Sequence, residues 1–211
     1  MNRFRDRAGA VVVPRPTKVV IVAMLVAVLA LAGCGSTGGD TGAGRSTQQT
    51  QALPDLTDCP GSTGQPAAGE QGLPELSLPC LDGGGGMLTI GEAPGVPLVL
   101  NLWATWCTSC RDELPLFSQL YTSSDRGQLL VAGVVTRDGA GLAAEFVMDL
   151  DIAFPSGLDE NGDLYLDQGM RGLPGTFFVR ADGSVAHAEL APITSYDDLL
   201  VLVREHLGVS L

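Results

Sequence analysis

The chain contains two short stretches that are apolar at nearly every position. They are PLVLNLWA at residues 97–104 and QLLVAGVV at residues 128–135. Such continuous runs are typical of strands buried on both faces of a sheet, whereas half-exposed strands alternate apolar and polar positions. A helix is expected between them, from about Cys107 to Thr122, with a kink at Pro115 because proline removes a hydrogen-bond donor. This order predicts a parallel strand pair joined by a crossover.

Weaker patterns predict further elements on either side of this unit. Residues 73–81 and 87–90 indicate a short strand pair around a glycine-rich turn. In the segment 141–150, large apolar side chains recur every four residues, as on one face of a helix. A turn and a short helical stretch around Leu164 are expected after it.

The last part of the chain predicts a hairpin and a closing helix. The segments 176–180 and 184–190 flank an Ala-Asp-Gly turn, which is a hairpin signal. Residues 195–207 begin with a serine suited to cap a helix and carry apolar residues at helical spacing. The predicted order is β-α-β-α-β-β-α with a small strand pair in front.

Residues 1–33 have the parts of an export signal: a basic stretch to Lys18, an apolar run at residues 19–32, and small residues. As a helix the run spans only about 21 Å, short of a hydrocarbon core of about 30 Å, which disfavours a permanent membrane helix. The sequence Leu-Ala-Gly-Cys that follows resembles the bacterial lipoprotein signal, in which the cysteine, here Cys34, is lipidated. An ordinary cleaved secretory signal is the alternative, and both place the mature chain outside the cytoplasmic membrane.

The segment 34–72 is rich in glycine, serine, threonine, glutamine and proline. It has too few large apolar side chains to offset the entropy of ordering, so it is predicted to be a flexible tether. The folded domain is expected at residues 73–211, where the periodic patterns lie.

The chain is acidic, with 12 basic and 24 acidic residues and a formal net charge of −12. Five of the basic residues lie in the signal segment and no lysine follows it, so the mature chain is more acidic still. Nucleic-acid binding requires clustered lysine and arginine. The composition therefore excludes a nucleic-acid partner and indicates a solvated acidic surface.

The predicted strand at residues 97–104 runs directly into WATWCTSC, which contains Cys107 and Cys110. A helix that starts near Cys107 offers unpaired N–H groups and a positive dipole end, both of which favour a sulfur anion. Cysteines in such CxxC settings have pKa values of roughly 3.5 to 7.5, against about 8.5 for free cysteine. Cys110, one turn on, is within disulfide reach but faces more inward. We therefore expect Cys107 to attack and Cys110 to resolve.

Other uses of a CxxC pair fit this sequence less well. Attachment of c-type haem requires a histidine after the second cysteine, and that residue is Arg111. A zinc ribbon requires a second, closely spaced cysteine pair, whereas Cys59 and Cys80 are 21 residues apart and no histidine pair completes a site. A purely structural disulfide remains an alternative, although closing three residues gives little chain entropy.

Three stretches, WATWCTSC, RDELP and GLPGTFFV, resemble the thioredoxin-like thiol-disulfide oxidoreductases of the membrane-tethered, extracytoplasmic TlpA/ResA-like branch. The likeness covers residues 73–211. It implies an α/β thioredoxin fold, with a central mixed β-sheet flanked by helices and a short strand pair before it. It also implies that Pro174 is a cis-proline facing the dithiol and that the main chain of Leu173 pairs with a substrate strand. A trans proline in a loop is the alternative.

The resemblance also suggests a role for Glu113. Many thioredoxins carry a buried acid five residues before the tryptophan-cysteine pair, where this chain has Asn101. In the relatives that it resembles, the glutamate of a C-x-x-C-x-x-E pattern supplies the acid instead, and Glu113 fits that pattern. We expect it to shuttle the proton of Cys110, with a pKa raised by burial. The alternative is an exposed helix glutamate.

The neighbours of the dithiol and the remaining cysteines complete the candidate residues. Trp106 is expected to pack beside the sulfurs and cover them, and Thr108 and Ser109 to set much of the redox potential. Outside the cytoplasm a leftover pair of cysteines usually joins, so a disulfide between Cys59 and Cys80 is expected to tie the tether to the domain. Closing a loop of about twenty residues contributes roughly 3 kcal/mol of stability.

The sequence predicts a lipid-anchored, monomeric enzyme on the extracytoplasmic face of the cell membrane. It exchanges its dithiol with disulfides of exported proteins and needs no metal or dissociable cofactor. The resemblance favours a reductant, for example of apocytochrome c, that receives electrons from a membrane donor. A disulfide-forming oxidant is the alternative, because dithiols of this fold span about −270 to −120 mV.

Two other function classes are weaker alternatives. Peroxide-reducing relatives carry threonine three residues before the reactive cysteine, where this chain has Ala104. A non-catalytic lipoprotein that binds a partner through an inert, oxidised domain is the alternative outside enzymes.

Overall fold

The computed structural model describes residues 58–68 and 72–211. The predicted export signal, Cys34 and most of the predicted tether lie outside these residues. Seven strands and four helices follow one another in the described part. They are β1 (Leu76–Pro79), β2 (Met87–Ile90), β3 (Leu98–Trp103), α1 (Thr108–Ser123), β4 (Leu130–Thr136), α2 (Ala140–Asp149), β5 (Ser156–Asp159), α3 (Asp163–Asp167), β6 (Gly175–Val179), β7 (Val185–Glu189) and α4 (Tyr196–Leu207).

The main sheet has five strands in the order β5-β4-β3-β6-β7. The central strand β3 runs parallel to β4 and antiparallel to β6, so the sheet is mixed. β1 and β2 form a separate antiparallel pair. The predicted fold class, a mixed sheet flanked by helices with a strand pair before it, is confirmed. The two apolar runs form β3 and β4, and nearly all of their side chains are buried.

The edge strand β5 is absent from the predicted element order. Its four residues, Ser-Gly-Leu-Asp, do not form an apolar run, although Ser156 and Asp159 are buried. A side chain at Gly157 would lie 2.9 Å from the Cβ atoms of both Leu78 and Leu88, which belong to the strand pair β1-β2. The strand pair packs so closely on β5 that glycine is required there, and this requirement removes the apolar pattern.

Apolar clusters cover both faces of the main sheet. One contains side chains from α1, α2 and α4, including Phe117, Phe146 and Leu199. The other contains the strand pair and α3, including Leu88 and Leu164. Helices α1 and α2 share a face because the crossovers from β3 to β4 and from β4 to β5 proceed in the same direction across the sheet.

Residues 58–68, which belong to the predicted tether, make specific contacts with the domain. The carboxylate of Glu92 accepts hydrogen bonds from the hydroxyl of Ser62 and from the main-chain N–H groups of Thr63 and Gly64, at 2.8–3.0 Å. These bonds lower the pKa of Glu92, chiefly through the Ser62 hydroxyl. Pro66 also forms a β-bridge with Glu92. This end of the tether therefore follows the surface of the domain.

The helices in residues 58–68 and 72–211 are all too short or too polar to cross a membrane.

Candidate active site

Cys107 and Cys110 are joined by a disulfide at the amino terminus of α1. Cys107 is the N-cap residue, and its Sγ accepts a hydrogen bond from the main-chain N–H of Cys110 at 3.1 Å. The hydroxyl of Ser109 lies 3.6 Å from the same sulfur, and Thr108 is the first helical residue. Because Cys107 is 6% exposed and Cys110 is fully buried, Cys107 presents the sulfur that a partner can reach.

The strand before the dithiol is held in place by Trp103. Its indole N–H donates to the hydroxyl of Ser156 at 3.3 Å, and its ring stacks on Phe146 with centroids 5.7 Å apart. The indole lies where a side chain at Gly133 would project, since a Cβ there would be 2.7 Å from Nε1. A glycine on β4 thus makes room for the tryptophan that ends β3.

The loop between β3 and α1 is tied to the loop after β4. The main-chain N–H of Thr105 donates to the carboxylate of Asp138 at 2.6 Å, and the indole N–H of Trp106 donates to the carbonyl of Arg137 at 3.2 Å. Trp106 is 60% exposed, so its ring lies largely in solvent beside the dithiol. Sequence reasoning missed Arg137 and Asp138. Their position after the carboxyl end of a strand parallel to β3 is the signal that identifies them.

Pro174 lies directly before β6, and the Leu173–Pro174 peptide bond is cis. Because Gly175 pairs with Leu102 across the antiparallel ladder, Pro174 lies at the end of the sheet where β3 leads into the dithiol loop. Leu173 is half-buried and contacts both apolar clusters. Leu173 also lines a groove formed by this loop and by the residue after β7: Gly169, Met170, Arg171, Gly172, Leu173 and Leu190.

Glu113 lies on α1, three residues after Cys110, and is 1% exposed. Its Oε1 accepts a hydrogen bond from the side-chain amide of Asn101 at 2.8 Å. Its Oε2 accepts one from the main-chain N–H of Ile193 at 3.0 Å. Burial raises the pKa of Glu113 to about 7, although both hydrogen bonds act to lower it. The carboxyl group therefore changes its charge near neutral pH.

Two polar side chains of the main sheet, Asn101 and Thr176, form a hydrogen-bonded group with Glu113. Asn101 lies on β3 and is fully buried, and its amide also donates to the hydroxyl of Thr176 on β6 at 3.1 Å. Sequence reasoning noted Asn101 only as the replacement for an acid, and it missed Thr176 and Ile193. The ladder pairing of Asn101 with Thr176 is visible only once the sheet order is known.

Cys59 and Cys80 lie in a second disulfide, with Cα atoms 5.9 Å apart. Cys80 is buried and bridges to Gly157 on β5, so this bond fixes residues 58–68 to the edge of the sheet, apart from α1. Within the described ranges, no three His, Cys, Asp or Glu side chains are grouped so as to hold a metal ion.

The fold and the Cys107–Cys110 disulfide place the chain in the class of thioredoxin-like proteins. Comparison with known families makes this more specific: the chain belongs to the AhpC/TSA family, whose model matches residues 70–188. The resemblance inferred from the sequence is therefore confirmed.

Individual relatives agree with the family assignment. The chain is 33% identical over 114 residues to the thiol:disulfide interchange protein DsbE of Pseudomonas fluorescens biotype C, covering 54% of this chain and 61% of that protein. It is 32% identical over 98 residues to the thiol-disulfide oxidoreductase ResA of Oceanobacillus iheyensis, covering 46% and 50%. The matches thus span less than two thirds of these two relatives.

One solved structure matches a larger share of this chain than either of these relatives does. The crystal structure of a thiol:disulfide interchange protein of the thioredoxin family from Chlorobium tepidum TLS matches with a TM-score of 0.55 and 26% identity. The match covers 67% of this chain and 99% of that one.

Proposed function

We propose that the protein exchanges thiols and disulfides with other exported proteins through Cys107 and Cys110. The observation that carries this proposal is the position of the two sulfurs. Cys107 Sγ accepts a hydrogen bond from the main-chain N–H of Cys110 at the start of α1, and Cys107 is 6% exposed, whereas Cys110 is fully buried. An anion on the first sulfur is stabilised by the helix terminus, and the second sulfur is reserved for the internal step.

The reaction requires two displacements at sulfur. In the reduced protein, the Cys107 thiolate attacks a substrate disulfide, forms a mixed disulfide and releases one substrate sulfur as a thiolate. Cys110 then gives up its proton and attacks Cys107 Sγ, which releases the second substrate sulfur and leaves the Cys107–Cys110 disulfide. Two electrons pass to the substrate, and the reverse sequence oxidises a substrate dithiol.

Glu113 is the proton acceptor for Cys110 in this scheme. It is buried on the same helix three residues away, and its pKa of about 7 allows it to gain and lose a proton at neutral pH. A carboxyl group with an ordinary pKa accepts a thiol proton far less readily.

The loop with the cis-proline holds the substrate. The main chain of Leu173 pairs with an extended segment of the substrate, and the groove beside it receives a neighbouring side chain. Trp106, which precedes Cys107, is 60% exposed and remains accessible to a bound protein. Thr108 and Ser109, between the cysteines, adjust the redox potential.

The protein acts as a reductant outside the cytoplasmic membrane, with apocytochrome c as the substrate that the TlpA/ResA-like resemblance favours. Relatives named as a thiol:disulfide interchange protein and a thiol-disulfide oxidoreductase support exchange of this kind. In this proposal Cys34 carries the lipid anchor, a membrane protein supplies electrons, and the chain acts as a monomer. An oxidant that installs disulfides is the alternative direction.

A trapping variant tests the proposal. In cells, Cys110→Ser should stall the mixed disulfide on Cys107, and the captured protein identifies the substrate. Cys107→Ser is the matched control and should capture nothing. In vitro, the unaltered protein should accelerate the reduction of insulin by dithiothreitol. An inert binding module would show neither the trapped species nor the acceleration.

A further inference from the structure

Asn101 occupies an unusual position for a polar side chain. It lies in the middle of the central strand β3, is fully buried, and donates both amide hydrogens, one to Glu113 Oε1 and one to Thr176 Oγ1. Its Oδ1 is also buried and has no hydrogen-bond partner among the described residues. A buried acceptor without a donor is unfavourable, so this arrangement calls for an explanation.

The two oxygens of Glu113 differ in what they can do when a proton arrives. Oε2 faces the main-chain N–H of Ile193, which can only donate. A protonated Oε2 could still accept from that N–H through its remaining lone pair, but the N–H offers the new hydroxyl no acceptor. Asn101, which faces Oε1, also carries an unused acceptor, so we place the proton on Oε1. A proton on Oε1 requires a hydrogen-bond acceptor, whereas in this structure the Asn101 amide N–H donates to Oε1.

We propose that Asn101 is a positioning residue that sets how firmly Glu113 holds its proton and reverses its own hydrogen bonds when that proton arrives. A half-turn of the carboxamide about its Cβ–Cγ bond brings Oδ1 to the place of Nδ2. Oδ1 then accepts from the Glu113 hydroxyl and from the hydroxyl of Thr176, which changes from acceptor to donor. During exchange the Cys110 S–H bond breaks as the Glu113 O–H bond forms, and in the oxidised protein, where Cys110 is in the disulfide, the proton comes from solvent. This inference rests on the proposed role of Glu113.

Asn101 and Ile193 are the only hydrogen-bonding partners of the Glu113 carboxyl among the described residues. The other titratable groups on the elements packed around it make different contacts. On β7, Glu189 accepts from the N–H of Ala191 and lies 3.7 Å from His187. On α1 the cysteines are joined in a disulfide, Arg111 and Asp112 are exposed, and Tyr121 accepts from Arg126. The remaining groups lie on α4: Tyr196, Asp197, Asp198, Arg204, Glu205 and His206. The neutral amide is thus the nearest group that can adjust the proton affinity of Glu113.

The experiment is a titration of the Glu113 side-chain carboxyl carbon by nuclear magnetic resonance in the oxidised full chain. Asn101→Leu removes a hydrogen bond to the charged form, so the midpoint should move upward by about one pH unit. Asn101→Asp keeps the size of the side chain and should give two coupled steps, the second above the midpoint of the unaltered protein. Thr176→Val removes a buried hydroxyl but leaves the Asn101–Glu113 bond, so its shift should be much smaller.

The same spectra test the reversal. The side-chain nitrogen of Asn101 should change its chemical shift with the midpoint of Glu113, because the amide exchanges its partners there. An Asn101 nitrogen signal that stays constant through that titration would refute the reversal. An unmoved Glu113 midpoint in both Asn101 variants, or a Thr176→Val shift equal to that of Asn101→Leu, would refute the control of proton affinity. If the unaltered protein does not accelerate the reduction of insulin, the proposed function is refuted instead. The two failures are distinguishable, because the titration of Glu113 does not require thiol-disulfide exchange.

Discussion

Glu113 shows how burial changes the chemistry of one side chain. The ordinary pKa of a glutamate is 4.5, and burial of the Glu113 carboxyl group raises its pKa to about 7. The C-x-x-C-x-x-E spacing makes Glu113 a candidate from the sequence, because residues three apart share a helix face. The partners that hold its two oxygens are not predictable in this way, because Asn101 and Ile193 lie 12 and 80 residues away. Those contacts depend on tertiary packing.

The first expected outcome concerns the rate of exchange. Glu113→Gln removes the acceptor for the Cys110 proton, and general base catalysis of this kind contributes about 100-fold or more. Resolution of the mixed disulfide at neutral pH should slow by about that factor, as followed by rapid mixing and mass spectrometry. Glu145→Gln on the exposed side of α2 is the matched control and should match the parent. Equal rates for both variants would remove Glu113 from the mechanism.

The second expected outcome concerns stability and pH. An acid with a folded-state pKa of about 7 and an ordinary value of 4.5 holds its proton more tightly in the folded protein. The free energy of unfolding should therefore fall as pH rises from about 4.5 to about 7, by at most about 3 kcal/mol, and then level off. Urea denaturation of the oxidised protein at pH 5 and pH 8 measures this fall. Glu113→Gln should lack this contribution, and parallel profiles for the two proteins would contradict it.

Strands and helices differ in how well local sequence specifies them. β3 and β4 are predictable because both faces of each strand are buried and the runs are apolar. β5 is not predictable, because its buried positions are not apolar. Ser156 and Asp159 are buried and make hydrogen bonds, and Gly157 is needed because a side chain there would clash. The same close packing occurs at Gly133, where β4 accommodates the indole of Trp103. The strand that leads to the dithiol thus depends on a glycine in its neighbour.

Gly133→Ala tests this dependence. The added Cβ would overlap Ser156 Oγ and lie 2.7 Å from Trp103 Nε1, so the tryptophan has to move. We expect a loss of about 1–3 kcal/mol in the free energy of unfolding, measured by urea denaturation. Gly141→Ala is the control, because nothing lies within 4 Å of its added Cβ and alanine favours the helix α2. Equal stability of the two variants would show that the contact at Gly133 is unimportant.

The described part of the chain combines the disulfide at the start of α1 with a second disulfide elsewhere in the fold. Cys107–Cys110 closes three residues at the start of α1, and Cys59–Cys80 closes 21 and fastens the segment before β1. Both pairs are predictable from spacing and from the expected export signal, because they depend on local sequence and on the predicted compartment. The loop contacts around Thr105 and Asp138, 33 residues apart, are not predictable without the parallel arrangement of β3 and β4.

The proposed exchange depends on Cys107 Sγ being held as an anion by the amino terminus of α1. The direct measurement is the alkylation of the reduced protein by iodoacetamide at pH 7, with each cysteine followed by mass spectrometry. Cys107 should react about tenfold faster than free cysteine, because a larger fraction of its sulfur is thiolate, and the buried Cys110 should stay unlabelled. A Cys107 rate equal to or below that of free cysteine would contradict the account.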